Sequence, residues 1–276
     1  MPRILGPTEV PTHAPDIVVP WWTDAPWCEP VSGRPVDHSR TMGLQQLMTG
    51  DPIKDRVRTS GRTPLQPTGR TTTTVKTWPN FTVRQVPLPN LVWTNGWTNP
   101  DTQWFGADQG SYWEVSSLRT GLLGWWAHHV ARFDLSQSWS TQLRGGVGGA
   151  GIPLWAMIPR LGQLKAGPEA FESALNFVVG GGYSRSTVPW VQKSDGGLTY
   201  HPLRAGERLR LTATAYDRLY PATETPDDRC VLYALRFYGA VVNDKTAAEV
   251  GHALRLPVGA QVTVPLQLTD FEVLVS

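Results

Sequence analysis

Carboxylates and histidines in the middle of the chain are the residues best suited to chemistry. Asp101, Asp108 and Glu114 could supply the acid and base pair that glycoside hydrolysis requires, although the sequence does not fix their separation. His128 and His129 precede Asp134, and imidazoles beside a carboxylate can bind a metal ion or transfer protons. Adjacent strand residues point to opposite faces, so the two histidines cannot share one ion without a bulge. We therefore expect half-buried structural histidines, and carboxylates that hold turns or lie in solvent, with no metal site and no cofactor.

Motifs for nucleotide binding and for nucleophilic catalysis are missing from the sequence. The glycine-rich segment Gly145–Gly151 (GGVGGAG) is not followed by Lys-Ser or Lys-Thr, so it does not match a phosphate-binding loop. No Gly-x-Ser-x-Gly segment supports a serine nucleophile. The sequence specifies no reaction, and we predict that the protein is not an enzyme.

Tryptophan is abundant, with 13 residues in the chain. An indole in a loop either fills the end of a sandwich core or forms a platform for sugar rings and apolar protein surfaces. Trp97 and Trp104 lie near turns, where both interpretations are open, whereas Trp113 lies on an alternating strand and is expected in the interior. The predicted ligand-binding residues are Trp97, Asp101, Trp104, Glu114, Trp126 and His128.

Composition and charge exclude several classes of protein. Lys and Arg total 25 against 23 Asp and Glu, and the net charge of +2 provides no long-range field for a polyanion. We therefore expect no nucleic-acid partner. Glycine (27) and proline (24) are abundant, as is typical of turn-rich β proteins. A length of 276 residues allows one large all-β domain with an appendage.

Targeting signals and cysteines add little. No apolar run approaches the roughly 18 residues that a membrane helix needs, and the proline-rich start is unlike a secretory signal. We expect a protein made in the cytoplasm without a membrane span. Cys28 and Cys230 are far apart in sequence, and both a long-range disulfide and two buried thiols remain open.

Residues 1–90 form a proline-rich segment that we interpret as an extended docking arm. Proline fixes φ and lacks a donor, so such a segment tends to run over a neighbouring surface. Docking on the chain's own domain and docking on another subunit are equally expected. Within the arm, the pattern predicts a short helix over Thr41–Met48 and strands over Thr71–Val75 and Asn80–Val86.

Residues 91–276 read as a string of short strands with one helix. Arg208–Tyr216 has the clearest period of two, which places Leu209 and Leu211 on a buried face and Arg208 and Arg210 in solvent. The other predicted strands are Leu91–Trp93, Ser111–Ser116, two within Gly124–Leu135, Ala174–Val179, Ala240–Val242, Gln261–Leu268 and Phe271–Val275.

A single helix is expected after these strands, with Asp227 or Asp228 as its cap, apolar residues at helical spacing, and Gly239 as its stop. Many short strands and one helix predict an all-β, jelly-roll-like β-sandwich behind a proline-rich extended N-terminal arm.

About half of the chain, from Asp101 to Asn243, resembles a β-sandwich module of secreted bacterial proteins that act on or bind polysaccharides. The matching segments are Asp101, Gly110–Glu114 (GSYWE), Trp125–Leu135 (WWAHHVARFDL), Ala150–Arg160 (AGIPLWAMIPR), Ala174–Val178 (ALNFV), Gly206–Ala213 (GERLRLTA) and Val231–Asp244 (VLYALRFYGAVVND). Polar positions differ: Gln103 replaces a histidine, and Gly148, Gly162 and Gln163 replace acidic residues. A module that keeps its apolar core and loses its polar cluster implies binding or assembly.

The whole chain is similar in style to a minor tail or tail-tip protein of an actinobacterial phage. It combines a proline-rich start at Met1, no export signal and a glycan-recognition-like sandwich behind an arm. The resemblance implies location in the virion, tail proteins bound by the arm, a host cell-surface glycan as ligand, and a homo-oligomer. Two alternatives stay open: a polysaccharide-cleaving glycoside hydrolase using Asp101, Glu114 or His128, and a capsid decoration protein.

Overall fold

A computed structural model describes residues 3–5, 22–48, 56–62, 66–93, 103–142, 145–191, 193–246, 248, 251–257 and 259–276. The chain folds into two compact units. The first unit comprises Met1–Trp22 and Arg62–Val147, and the second unit comprises Thr23–Gly61 and Gly148–Ser276.

Strands dominate the described residues, which confirms the β-rich composition predicted. In chain order the strands are β1 (Arg3–Leu5), β2 (Val57–Arg62), β3 (Gln66–Pro67), β4 (Thr73–Thr77), β5 (Val83–Val86), β6 (Leu91–Trp93), β7 (Gln103–Ala107), β8 (Ser111–Ser116), β9 (Arg119–Gly121), β10 (Gly124–Ala127), β11 (His129–Asp134), β12 (Leu175–Gly180), β13 (Ser184–Thr187), β14 (Arg204–Ala205), β15 (Arg208–Leu211), β16 (Ala240–Thr246), β17 (His252–Pro257) and β18 (Phe271–Val273). The α-helices are α1 (His38–Met48), α2 (Leu161–Ala166), α3 (Ala213–Leu219) and α4 (Pro226–Phe237).

The first unit contains two four-stranded sheets, with strand orders β5-β4-β10-β9 and β11-β8-β7-β3. The chain passes from one sheet to the other between β10 and β11, at His128. Buried side chains of both sheets share one core, which contains Val75, Val86, Leu88, Val92, Trp104, Val115, Leu118, Trp125 and Ala127. This core fixes which face of each sheet is left for solvent.

The second unit is built on a six-stranded mixed sheet of order β18-β15-β16-β12-β17-β2. The residues of β12 from Leu175 to Val179 are all buried, as is typical of a central strand covered on both faces. Helix α4 begins after Thr225, whose side chain accepts a hydrogen bond from Asp228 N–H. It ends before Gly239, whose φ of +77° confirms the predicted glycine stop.

The prediction of one long alternating strand over Arg208–Tyr216 was wrong. Strand β15 ends at Leu211, and the Thr212 side chain caps the following helix α3 by accepting from Ala215 N–H at 3.1 Å. With α1 and α2, the described residues contain four α-helices, where the sequence predicted one in the sandwich and a short one in the arm. The alternation of Leu and Arg indicated a strand with one exposed face, whereas β15 is buried on both faces.

Arg208 and Arg210 were predicted in solvent but are 2% and 7% exposed. Arg208 Nη2 donates to the carbonyl of Glu29 at 3.0 Å, and Arg210 Nη1 donates to the carbonyl of Ser32 at 3.0 Å. The outer side of β15 is therefore covered by the chain segment around Glu29–Arg34, whose carbonyls satisfy the two guanidinium groups.

The closing strand predicted over Gln261–Leu268 is also wrong, because this stretch is irregular apart from an isolated bridge. Two of its backbone amides bond to a side chain instead of a neighbouring strand: Thr263 N–H and Val264 N–H donate to the Asp228 carboxylate at 2.7 and 3.0 Å. The predicted strand at the C-terminus is confirmed in part, since β18 spans Phe271–Val273.

Part of the predicted arm packs on helix α4 and strand β18 of the second unit. Val31 N–H donates to the Phe237 carbonyl at 2.7 Å, and Asp37 N–H donates to the Val273 carbonyl at 2.8 Å. Helix α1 begins at His38, three residues before the predicted start at Thr41. Docking of other arm residues on a second subunit stays a prediction.

Cys28 and Cys230 do not form a disulfide. Burial raises the pKa of both thiols to about 11, so both are thiols rather than thiolates near neutral pH. Among the described ranges, no helix is long and apolar enough to span a membrane.

Candidate functional site

The outer face of the sheet β5-β4-β10-β9 carries a row of large side chains. Trp126 of β10 is in register with Lys76 of β4 and with Arg119 of β9, and Lys76 is in register with Val83 of β5. Residues in register on neighbouring strands project to the same side of a sheet. These four side chains therefore cross the outer face, while Trp125 points into the core.

Three aromatic rings cluster near the carboxyl ends of β4 and β10. Trp78 and Phe81 are 57% and 60% exposed, and their ring centroids lie 4.9 Å apart at a nearly perpendicular angle. The Phe81 ring also meets the half-buried Trp126 edge to face at 6.4 Å. The Lys76 ammonium lies 5.3 Å from the centroid of the Trp126 ring, within cation–π range. We call the surface formed by Trp78, Phe81, Trp126 and Lys76 the aromatic face.

The turn between β4 and β5 presents two of the rings. Thr77 N–H closes the turn by donating to the Thr82 carbonyl at 2.8 Å, and Trp78 N–H donates to the Ala127 carbonyl of β10 at 2.9 Å. Phe81 has a φ of +51°, in the left-handed region that favours glycine and strains a bulky residue. An aromatic ring is thus held outward at a position where backbone preference alone would select glycine.

Acidic residues are missing from the segments that build this sheet. Residues 66–93 and 117–130 contain no Asp or Glu. They contain four cationic side chains: Arg70, Lys76, Arg84 and Arg119. Since Lys76 and Arg119 belong to the outer row, that face carries positive charge without a carboxylate from its own strands.

The predicted ligand-binding residues lie in three places. Trp126 belongs to the aromatic face, and His128 is exposed two residues further on, with its backbone N–H bonded to the Ser116 carbonyl at 3.0 Å. Trp97 and Asp101 lie outside the described residues. Trp104 and Glu114 lie in the interior, and both are 0% exposed.

The two interior residues are engaged by their own unit. Trp104 Nε1 donates to Gln66 Oε1 at 3.2 Å. Glu114 accepts hydrogen bonds from the Tyr112 hydroxyl at 2.6 Å and from Val147 N–H at 2.7 Å, one at each carboxylate oxygen. Contact of either side chain with a dissolved ligand would require the core to open.

Asp108 confirms the expectation that loop carboxylates hold turns. Its Oδ1 accepts hydrogen bonds from Gly110 N–H at 2.8 Å and Ser111 N–H at 2.7 Å. Burial raises the pKa of this carboxyl, but the hydrogen bonds from Gly110 and Ser111 outweigh it, and the net pKa is below the usual value. Within the described part of the chain, no cluster of three or more His, Cys, Asp and Glu residues could hold a metal ion.

Sequence reasoning missed Trp78, Phe81 and Lys76. The strands on either side of the turn were predicted, and β4 and β5 confirm them with shifted bounds. The available signal was the turn Trp78-Pro-Asn-Phe81 itself, because large aromatic residues at a strand-to-strand turn cannot both enter the core.

The second unit has an open cavity of about 530 Å³, to which the exposed ring of Tyr200 contributes. Arg40 lines the cavity, and its Nη1 donates to the Pro202 carbonyl at 2.8 Å and to Glu207 at 3.0 Å. Arg40 also pairs with Asp37. Because these polar groups already bind one another, they offer less to a ligand than the aromatic face does.

Comparison with known proteins gives no relative. No protein-family model matches the chain, and no curated protein and no solved structure matches it.

Proposed function

We propose that the protein is a minor tail protein of a phage virion and that its first unit binds glycan on the host surface. The aromatic face carries the proposal, because Trp78 and Phe81 are more than half exposed while most other large rings of the unit are buried. Exposing such rings gives up favourable burial, so their placement calls for a partner. Sugars suit this surface because their C–H faces stack on aromatic rings.

The polar surroundings of the rings favour a sugar over a purely apolar partner. Thr74 lies two residues before Lys76 on β4, and its hydroxyl accepts a hydrogen bond from the exposed Gln85 amide at 3.1 Å. Hydroxyl and amide groups beside exposed rings can exchange hydrogen bonds with sugar hydroxyls. An apolar protein partner would offer nothing to the hydrogen-bonding capacity that the Thr74–Gln85 bond leaves unused.

The shape of the surface indicates weak individual binding. The aromatic face lies on the outer side of a sheet, so a ligand would be covered from one side only. One or two stacked sugars give modest affinity, and many copies on one particle raise the total affinity by increasing the effective concentration. A tail with repeated copies of this chain fits that requirement, which supports a homo-oligomer in the virion.

The scaffold and the arm complete the proposal. We propose that the first unit is a jelly-roll-like β-sandwich, supported by its two four-stranded sheets with one shared core. The arm would join the chain to neighbouring tail proteins. Both oxygens of Glu114 accept hydrogen bonds inside the unit, which supports binding without catalysis.

The test of glycan binding is sedimentation of the purified chain with insoluble cell-wall polysaccharide from an actinobacterial host. Trp126→Ala and Phe81→Ala should each weaken binding about tenfold, as expected for one stacked ring worth about 1.4 kcal/mol. Leu122→Ala is the matched control, since Leu122 is fully exposed in the β9–β10 turn of the same sheet. Equal binding by all variants would refute the assignment of the site.

Two further measurements test the rest of the proposal. Immunogold labelling of purified particles should mark the tail, and labelling of the head would favour a decoration protein instead. The native chain should release no reducing ends from the polysaccharide. Release that Glu114→Gln abolishes would overturn the non-enzymatic assignment.

A further inference from the structure

We infer that the glycan bound by the aromatic face is anionic, with acidic groups repeated along the polysaccharide chain. The inference rests on the proposed function and specifies its ligand. It depends on the positive charges around Trp126. A surface that only stacks sugars on aromatic rings would not need these charges.

Two cations flank the central ring of the face. Lys76 and Arg119 are the register partners of Trp126 on its two neighbouring strands. Neighbouring strands are about 4.8 Å apart, so the two cations arise from backbones roughly 10 Å apart with the indole between them. A sugar stacked on Trp126 would therefore have a positive side chain within reach on either side.

The charge of this face differs from that of the chain as a whole. Lys and Arg total 25 against 23 Asp and Glu in the chain, yet residues 66–93 and 117–130 hold cations and no carboxylate. Because the net charge is only +2, long-range attraction contributes little. The preference must come from short-range contacts to Lys76 and Arg119, and these contacts weaken as salt screens them.

Lys76 is placed to change partner when an acidic sugar binds. Its ammonium lies 5.3 Å from the Trp126 ring centroid. A carboxylate on a stacked sugar would provide a charge-assisted hydrogen bond to Lys76 in place of the cation–π contact that the sugar displaces. A neutral sugar on the same ring would compete with Lys76 for the indole without this gain.

Arg84 provides an internal control for charge alone. It lies on β5 in the same sheet, but it is in register with Val75, which points into the core. Arg84 therefore projects from the side of the sheet opposite to Lys76 and Val83. Replacing Arg84 removes the same charge without touching the aromatic face.

The experiment compares polygalacturonate with its fully methyl-esterified form, which has the same backbone without the charge. At low salt we expect the full chain to bind the acidic polymer about tenfold more tightly. The preference should fall to about twofold or less in Lys76→Gln, in Arg119→Gln and in high salt. It should persist in Arg84→Gln.

The outcomes distinguish failure of the anionic preference from failure of glycan binding. Equal binding of both polymers that still depends on Trp126 would overturn the inference and leave glycan binding intact. Failure to bind either polymer or the host cell wall would refute the proposed function. An equal loss of preference in Arg84→Gln would overturn the role of the face. Single-stranded oligothymidylate is included because stacked rings with cations also fit nucleic acid, and tighter binding to it would overturn the inference.

Discussion

Replacement of Arg208 by methionine tests whether this side chain holds residues 23–36 against the rest of the second unit. The Arg208 guanidinium donates to the backbone carbonyls of Pro26, Glu29 and Tyr238. Two of these carbonyls belong to the predicted arm. Methionine keeps much of the apolar stem and removes every donor.

The magnitude follows from the groups left behind. Each buried carbonyl without a donor costs roughly 1–3 kcal/mol. The Glu29 and Tyr238 carbonyls lose the donor that Arg208 supplies, whereas the Pro26 carbonyl also accepts from Glu29 N–H at 3.4 Å. Removing the buried charge returns part of this, because the guanidinium no longer has to be desolvated. We expect Arg208→Met to lower the free energy of unfolding by about 3 kcal/mol.

Urea denaturation measures the loss, and limited proteolysis with terminal sequencing locates it. The variant should be cleaved faster between residues 23 and 36 than the native chain. Arg218→Met is the matched control, since the Arg218 side chain is 52% exposed and bonds to the Asp270 carboxylate instead of a backbone carbonyl of residues 23–36, and it should cost about 1 kcal/mol. Equal losses in the two variants, with unchanged cleavage, would refute the fastening role of Arg208.

Two further predictions concern a strained turn and a buried carboxylate. Phe81→Gly should be more stable than Phe81→Ala by about 1 kcal/mol in urea denaturation, because φ is +51° at this position and glycine adopts it without strain; equal stabilities would contradict this backbone. At Asp228, burial raises the pKa, but the hydrogen bonds from Thr263 and Val264 outweigh it and the net pKa is lowered. This carboxylate therefore stabilises the fold above its usual pKa, and the contribution is lost as the pH falls through the lowered value. The urea midpoint should fall on acidification from about pH 6 to about pH 3, less steeply in Asp228→Asn, and identical pH profiles would refute the role of Asp228.

Elements with strong local signals could be predicted from the sequence. Helix α4 has a buried apolar stripe and a glycine stop, and both predictions are confirmed. The predicted cap was wrong, because Thr225 caps the helix and Asp227 and Asp228 lie in its first turn. Strands β8 and β12 are confirmed for a similar reason, because their residue types agree with the burial that the fold gives them.

Elements whose structure depends on distant parts of the chain could not be predicted from the sequence. The alternation at Arg208 and Arg210 predicts a strand with one solvent-exposed face. The backbone carbonyls of the segment around Glu29–Arg34, far away in sequence, cover that face. Irregular backbone near Thr263 is likewise set by Asp228, which lies in another element. In both stretches the residues that determine the structure lie elsewhere in the chain, so the local sequence does not reveal them.

The candidate site divides in the same way. Trp126 was among the predicted ligand-binding residues because it lies beside His128 and His129 in the most chemistry-like cluster of the sequence. Trp78 and Phe81 were missed because the prolines around them led us to interpret the segment as an arm, although its strands complete the sheet that carries Trp126.

The interleaved boundaries of the two units have a consequence for evolution. The chain crosses from one unit to the other at residues 22–23, 61–62 and 147–148. A single genetic crossover therefore cannot transplant the first unit into another protein as an intact module, because its two segments enclose part of the second. We therefore expect related chains to vary the aromatic face by substitutions in the short turn from Thr77 to Thr82, where Thr77 N–H donates to the Thr82 carbonyl, and not by exchange of the whole first unit.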